Sequence, residues 1–262
     1  MKKMISVIVT FALIIALTGC PGKKANELKI GATPVPHAEL LNLIKDDLAG
    51  AGVNLKIIEY TDYVQPNMAV IAGDLDANFF QHIPYLGSNV DWLNTLSPAF
   101  GVHIEPFGLY SNKYKSIDEL PEGALIAIPN DPSNGGRALF LLQANDLITL
   151  KDDVGFLATV RDITGNPKNF KFQELEAALL PRSLQDVDAA AINGNYALES
   201  GFNPVSDSLI IEDSNSPYMN IVVVQKGKEE DVKILALKDA LLSDKVRDYI
   251  INNYDGGVVP VF

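Results

Sequence analysis

The sequence predicts an α/β protein of two lobes joined by two crossing strands. Strands and helices alternate between residues 28 and 82, and the same rhythm restarts at residue 124. Two further extended stretches, 102–110 and 219–224, lie where the chain would pass between the two units.

In the first unit, residues 28–32 read as a short strand ending in the turn Thr33-Pro34-Val35-Pro36. Residues 37–49 carry Leu40, Leu41, Ile44 and Leu48 at helical spacing, with Gly50 and Gly52 as stop signals. Residues 53–60 alternate as a strand, 63–72 form a short helix, and 75–82 form another strand. Period-2 alternation there places Asn78, Phe80 and His82 on one side. In the second unit, the apolar strand 124–129 runs into the turn Asn130-Asp131-Pro132-Ser133-Asn134-Gly135-Gly136 and a helix over 137–144. Residues 170–174 and 189–192 supply further strands, and a helix over 176–185 is interrupted near Pro181. Helices over 232–242 and 244–254 close the chain and return to the first lobe.

The N-terminus fixes the compartment. Lys2 and Lys3 precede an apolar run over 5–17, broken only by Ser6 and Thr10, which is shorter than the ~20 residues of a membrane span. It ends in Leu17-Thr18-Gly19-Cys20, which resembles the bacterial lipobox, whose cysteine is lipidated and becomes the mature N-terminus. Residues 1–19 are thus expected to be a lipoprotein signal peptide and 20–26 a lipidated tether. Cys20 is the only cysteine, so disulfides and a cysteine nucleophile are excluded. A net charge of −12 argues against nucleic acid and against a polybasic grip on lipid, leaving the lipid itself as anchor.

Catalysis is not indicated. His37, His82 and His103 are far apart in sequence, with no His-Glu-x-x-His helix, and neither a metal site nor a cofactor is expected. There is no Gly-x-Ser-x-Gly elbow and no phosphate loop, and Asp46-Asp47, Asp152-Asp153 and Glu229-Glu230 sit in polar stretches. Binding signals are better. Unpaired amides at the start of a helix, reinforced by Arg137, suit a carboxylate, although a plain strand–helix turn has the same look. Phe80 and His82 either line an apolar pocket or form a half-buried edge. Asn193, Asn195 and Asn220 lie at the ends of apolar strands, where they bond either a ligand or the backbone of a turn.

Ordered segments along the whole chain resemble the methionine-binding lipoprotein (NlpA) family. They include Gly-Ala-Thr-Pro-Val-Pro-His (31–37), Asp-Tyr-Val-Gln-Pro-Asn (62–67) and Asp-Ala-Asn-Phe-Phe-Gln-His-Ile-Pro-Tyr-Leu (76–86). Val-His-Ile-Glu-Pro-Phe-Gly-Leu-Tyr-Ser (102–111) and Pro-Asn-Asp-Pro-Ser-Asn-Gly-Gly-Arg-Ala-Leu (129–139) follow. Ala-Ala-Ile-Asn-Gly-Asn-Tyr-Ala (190–197), Ser-Pro-Tyr-Met-Asn (216–220) and Gly-Gly-Val-Val-Pro (256–260) complete the series.

The resemblance implies a type II periplasmic-binding-protein fold with ligand in the interlobe cleft. Residues 27–109 plus 225–262 would form lobe I and 110–224 lobe II. It implies that Tyr63, Phe80 and His82 enclose a thioether, that Arg137 pairs with the ligand carboxylate, and that Asn193 and Asn220 bond the amino-acid backbone. The implied function is a lipid-anchored, monomeric receptor facing the periplasm or the cell exterior. It would deliver L-methionine or a close analogue to an ABC permease and its ATPase. A dipeptide, D-methionine or another amino acid are alternative ligands, and a metal-capturing lipoprotein is a more distant one. Gln65, Gly135 and Met219 depart from the family pattern near the expected cleft.

Overall fold

In the computed structural model, the described residues are 26–213 and 216–262. Cys20, the expected lipidation site, and the leader before it lie outside them. The chain opens with β1 (Glu27–Ala32), helices α1 (Glu39–Leu43) and α2 (Lys45–Gly50), β2 (Asn54–Glu59), α3 (Gln65–Ala72) and β3 (Ala77–His82). Short helices α4 (Ile83–Gly87) and α5 (Val90–Thr95) lead into β4 (Leu96–Ile104). The second unit holds β5 (Gly108–Tyr110), β6 (Leu125–Pro129), α6 (Pro132–Ala144), β7 (Thr149–Leu150), β8 (Ile163–Gly165) and β9 (Lys171–Leu175). It continues with α7 (Leu180–Ser183), β10 (Ala189–Ile192), α8 (Gly194–Glu199), α9 (Pro204–Asp207) and β11 (Ile210–Ile211). Then come β12 (Met219–Gln225), α10 (Val232–Leu241), α11 (Asp244–Asn253) and β13 (Val259–Pro260).

Among the described residues, one sheet has six strands in the order β13-β4-β12-β3-β1-β2 and another has five in the order β11-β5-β10-β6-β9. The pairs β1–β2, β1–β3, β6–β9 and β6–β10 are parallel, and β12 runs antiparallel to both β3 and β4. Parallel strands need helical crossovers that cover the sheet, so their residues are apolar on both faces. Ile30, Phe79, Val222 and Val224 accordingly pack with Leu40, Leu41, Leu237 and Ile250 in one core. Leu109, Ile126, Ile128, Leu139, Leu142 and Ala191 build a second. Each sheet thus has its own core, as a two-lobed α/β fold requires.

The chain leaves the six-stranded sheet after Ile104 and enters the other at Gly108; it leaves that sheet after Ile211 and returns at Met219. The first passage, residues 105–107, falls within the extended stretch 102–110; the second, residues 212–218, begins after Ile211, ahead of the stretch 219–224, which instead forms β12 inside the six-stranded sheet.

Three local readings are corrected. The helix expected from Arg137 begins at Pro132, because the Asp131 carboxylate caps it by accepting the Asn134 N–H at 2.9 Å and proline is suited to the first turn. Arg137 therefore lies inside α6, not at its mouth. The strict alternation of β3 is broken: pairing with β12 jumps from Gln81 to Phe79, leaving Phe80 as a bulge residue. Asn78 consequently joins Gln81 and Asn67 in a buried amide cluster, with Gln81 Nε2 donating to Asn78 Oδ1 at 2.8 Å and to Asn67 Oδ1 at 2.6 Å. The helix expected over 37–49 is interrupted at Ile44 (φ −98°, ψ 3°), although the Leu48 N–H still reaches Ile44 O at 3.0 Å.

Candidate ligand-binding cleft

Between the two sheets lies a cavity whose walls come from both. β3 delivers Phe80 and His82, the start of β12 delivers Asn220, and the segment before α3 delivers Tyr63. From the other unit, α6 contributes Asn134 and Arg137, and the turn between β10 and α8 contributes Asn193 and Asn195. Its volume is about 310 Å³. Hydrogen bonds span it: Tyr63 OH donates to Asn195 Oδ1 at 2.6 Å, and Tyr196 OH to Thr61 O at 3.0 Å. The cleft is closed. A larger, open depression of about 1920 Å³ lies beside α6, bordered by Phe140, Asp153 and Phe156. It shares Glu212 and Tyr218 with the surroundings of Arg137 but is lined by none of Asn134, Arg137, Asn193, Asn195 and Asn220, so the interlobe cavity is the better candidate.

One half of the cavity is aromatic. Tyr63 lies 5.7 Å from Phe80 and 5.0 Å from Tyr196, centroid to centroid, and His82 stands edge-on to Tyr218 at 4.9 Å. Burial, then the nearby Arg137 charge, lowers the His82 pKa to about 3, so the imidazole is neutral. Its Nδ1 accepts the Tyr85 N–H at 3.1 Å, which leaves the proton on Nε2 to donate to Asn134 Oδ1 at 3.1 Å. His82 thus acts as an apolar wall with one fixed polar tip. Burial likewise raises the Tyr63 hydroxyl, keeping it neutral.

The other half is polar. Arg137 is 3% exposed, and its Nε donates to Glu212 Oε1 at 2.9 Å. Its Nη2 bonds Glu212 Oε2 and donates to the Glu105 carbonyl at 2.9 Å. The guanidinium also lies over Tyr218 at 4.1 Å and Phe107 at 5.0 Å. Among the described residues Nη1 makes no hydrogen bond. Asn193 Nδ2 donates to Asn134 Oδ1 at 2.9 Å, while Asn193 Oδ1 and Asn195 Nδ2 are buried without a protein partner. Each such orphan costs ~1–3 kcal/mol unless something bonds it, so a polar ligand would recover that loss. Asn193 starts α8 without capping it through its side chain, which removes the plain turn-residue account of its amide.

His37, His103 and Glu105 form a buried group beside this end. The sequence separation of the histidines is no guide here, since the fold brings the rings of His37 and His103 to 5.1 Å. Glu105 Oε1 lies 2.8 Å from His103 Nε2 and 3.3 Å from His37 Nε2. His37 also contacts Thr33 Oγ1 through Nδ1 at 2.7 Å and Asn220 Oδ1 through Nε2 at 3.1 Å. Burial lowers His37 to about 4 and His103 to about 3, so both rings are neutral near pH 7. Burial raises the Glu105 carboxyl, against the pull of His37 and Arg137.

The fold brings Tyr63, Phe80, His82, Arg137, Asn193 and Asn220 to one cavity. Sequence reasoning did not single out Glu105, Asn134 or Tyr85 as site residues. Asn134 lay in a segment that reads as a loop, and Glu105 in one that reads only as extended. The departures from the family pattern do not line the cavity. Gln65 is exposed on α3, Gly135 packs on Pro129 O, and Met219 Sδ lies against Gly101.

The sequence pattern of the NlpA lipoproteins matches residues 28–262. The chain belongs to the NlpA lipoprotein family. It is 40% identical over 276 aligned positions to the methionine-binding lipoprotein MetQ of Bacillus subtilis, spanning 100% of this chain and 99% of that one. The D-methionine-binding lipoprotein MetQ of Escherichia coli is 41% identical over 253 positions, 94% and 93% of the two chains. Among solved structures, a nutrient binding protein from Burkholderia cenocepacia bound to methionine matches with a TM-score of 0.86 and 44% identity. That match covers 90% of this chain and 100% of the other. Among the described residues no helix is long and apolar enough to cross a membrane.

Proposed function

We propose that the protein is the solute receptor of an ABC importer and binds L-methionine or a close analogue in the interlobe cleft. The observation that carries this reading is the division of the cavity into an aromatic half and a polar half. Tyr63 and Phe80 form walls suited to a thioether, since sulfur gains ~0.3–1.5 kcal/mol per aromatic contact. Arg137 Nη1 and Asn195 Nδ2 supply donors for a carboxylate, and Asn193 Oδ1 and Asn220 supply acceptors for an amine. The names of the relatives support the same ligand class. Membership of a family of solute-binding lipoproteins supports capture as the role.

In this reading Cys20 carries the lipid that holds the receptor at the outer face of a membrane, beside its permease and ATPase. The receptor works as a monomer whose lobes part at the crossings 105–107 and 212–218 to admit solute. Calorimetry of protein stripped by unfolding and refolding tests the ligand. Saturable binding of L-methionine is expected, and no binding of methionine, its D form, its oxide or methionine-containing dipeptides would sink the reading. Stronger binding of a dipeptide or D-methionine would reassign the solute and keep the receptor.

A further inference from the structure

The strand registers fix where the chain leading from Cys20 joins the fold. At one end of the six-stranded sheet Asn220 pairs with His82 and His103, and this end opens on the cavity. At the other end Val224 pairs with Ala77 and Gln225 with Leu96. Ile30 also pairs with Ala77, so Glu27, ahead of it on β1, lies at this second end, the base of the lobe. Asn26 is already held there, its carbonyl accepting the Asn54 N–H at 2.8 Å. From Cys20 to Asn26 the chain spans at most about 22 Å. β1 alone is about 20 Å tall at ~3.3 Å per residue, and the cavity and then the second unit lie beyond it. An anchor of that reach holds the base close to a bilayer and leaves the second unit out of its range.

The base carries apolar side chains suited to that neighbour. Val232, in the first turn of α10, is 79% exposed, more than any other large apolar side chain among the described residues. Leu235, one turn on, is 36% exposed. Ile234, Leu237 and Leu241 of the same helix pack into the core, so Val232 and Leu235 belong to its outer face. Lys233 donates its Nζ to the Glu27 carbonyl at 3.0 Å, which places Val232 beside the root of the tether. The preceding turn sets Lys226 and Lys228 against Glu229 and Glu230, a balance that neither needs anionic lipid nor is repelled by it. Two such side chains bind a bilayer negligibly from free solution, but a short tether raises their effective concentration at its surface.

We propose that the base of the first lobe, at Val232 and Leu235, is a lipid-contact surface on which the anchored receptor stands with its cavity held away from the bilayer. This rests on the reading of Cys20 as the lipid anchor. A receptor so placed meets solute in the surrounding fluid and has to tilt about its tether before its cleft reaches a membrane partner.

Full-length protein carrying its lipid, reconstituted in phosphatidylcholine vesicles, tests this. Cys20 is the only cysteine and its sulfur is acylated in this reading, so Val232→Cys and Lys171→Cys each present one thiol for a fluorescent label. Lys171 is exposed at the start of β9, where it pairs with Leu125 at the end of the second sheet remote from the cavity. Quenching by a lipid spin-labelled at its headgroup is expected to be roughly 5-fold or more stronger at 232 than at 171, and to persist in high salt. Leu235→Cys gives the same reading if Val232→Cys does not fold. Equal quenching at the two ends, or stronger quenching at 171, would overturn the inference. A contrast that vanishes in high salt would replace the apolar contact by a charged one and overturn the role of Val232. Shielding of the label at 232 from a water-soluble quencher in vesicle-free protein would assign the face to a second copy, and would also overturn it. Protein that does not float with the vesicles fails the anchor reading itself, a distinct outcome that takes the inference with it.

Discussion

Arg137 and Glu212 hold each other in a two-point pair, although they come from different parts of the second unit: α6 and the return crossing. The same guanidinium reaches the carbonyl of Glu105 on the outward crossing. One side chain therefore touches both passages between the sheets and lines the ligand cavity.

Arg137→Ala is expected to weaken methionine binding by about 30-fold or more, since under the proposed function it removes the cation that pairs with the ligand carboxylate. Arg137→Lys should restore little, because an ammonium lacks the planar fork that bonds Glu212 and the Glu105 carbonyl together. Calorimetry of both variants checks this; full rescue by lysine would reduce the role of Arg137 to charge alone.

Phe80→Ala should lower methionine affinity by roughly 1–3 kcal/mol, through lost apolar burial and a lost sulfur–ring contact. The loss should be smaller for alanine as ligand, whose methyl group does not reach the rings. A competition assay with the two amino acids measures the difference.

Tyr63→Phe removes the hydroxyl that donates to Asn195 across the cleft. A cost of about 1 kcal/mol is expected, lowering the melting temperature by roughly 2–4 °C. Scanning calorimetry in the absence of ligand reads this directly.

Melting temperature should fall as pH drops from about 7 to about 5. His37, His82 and His103 have folded values of about 4, 3 and 3, against 6.5 unperturbed. Below 6.5 the unfolded chain takes up protons that the folded chain refuses. The stability these groups contribute is whole above that value and drains as pH falls towards 3–4, by up to ~1.4 kcal/mol per pH unit for each. Glu105 and Asp131, raised by burial, act in the opposite sense. A melting temperature that rises as pH falls over this range would overturn the prediction.

Much of this was legible in the chain itself. Buried parallel strands leave continuous apolar runs, so 28–32, 124–129 and 189–192 announce β1, β6 and β10, and the first crossing falls in the extended stretch 102–110, whereas 219–224 proved to be β12. Periodicity failed at β3 because a bulge is a tertiary event: the extra residue at Phe80 has meaning only against β12. The start of α6 was missed because glycines at 135 and 136 weaken helical propensity. Both are required by packing, since a Cβ at Gly136 would stand 2.4 Å from Phe156 O. The His37–His103–Glu105 group was hidden for a simpler reason. His37 follows β1, His103 lies near the end of β4 and Glu105 just beyond it, and those strands are separated in the sheet by β12 and β3, so no local pattern encodes the arrangement.

The bracing of both crossings by Arg137 gives the molecule an economy of parts. If the proposed role holds, the guanidinium that meets the cargo is also a rivet through the hinge, so pulling the two passages apart would strip a holding contact from the solute in the same stroke. A partner that parted the lobes would then need only leverage, because the load would come free as the rivet worked loose.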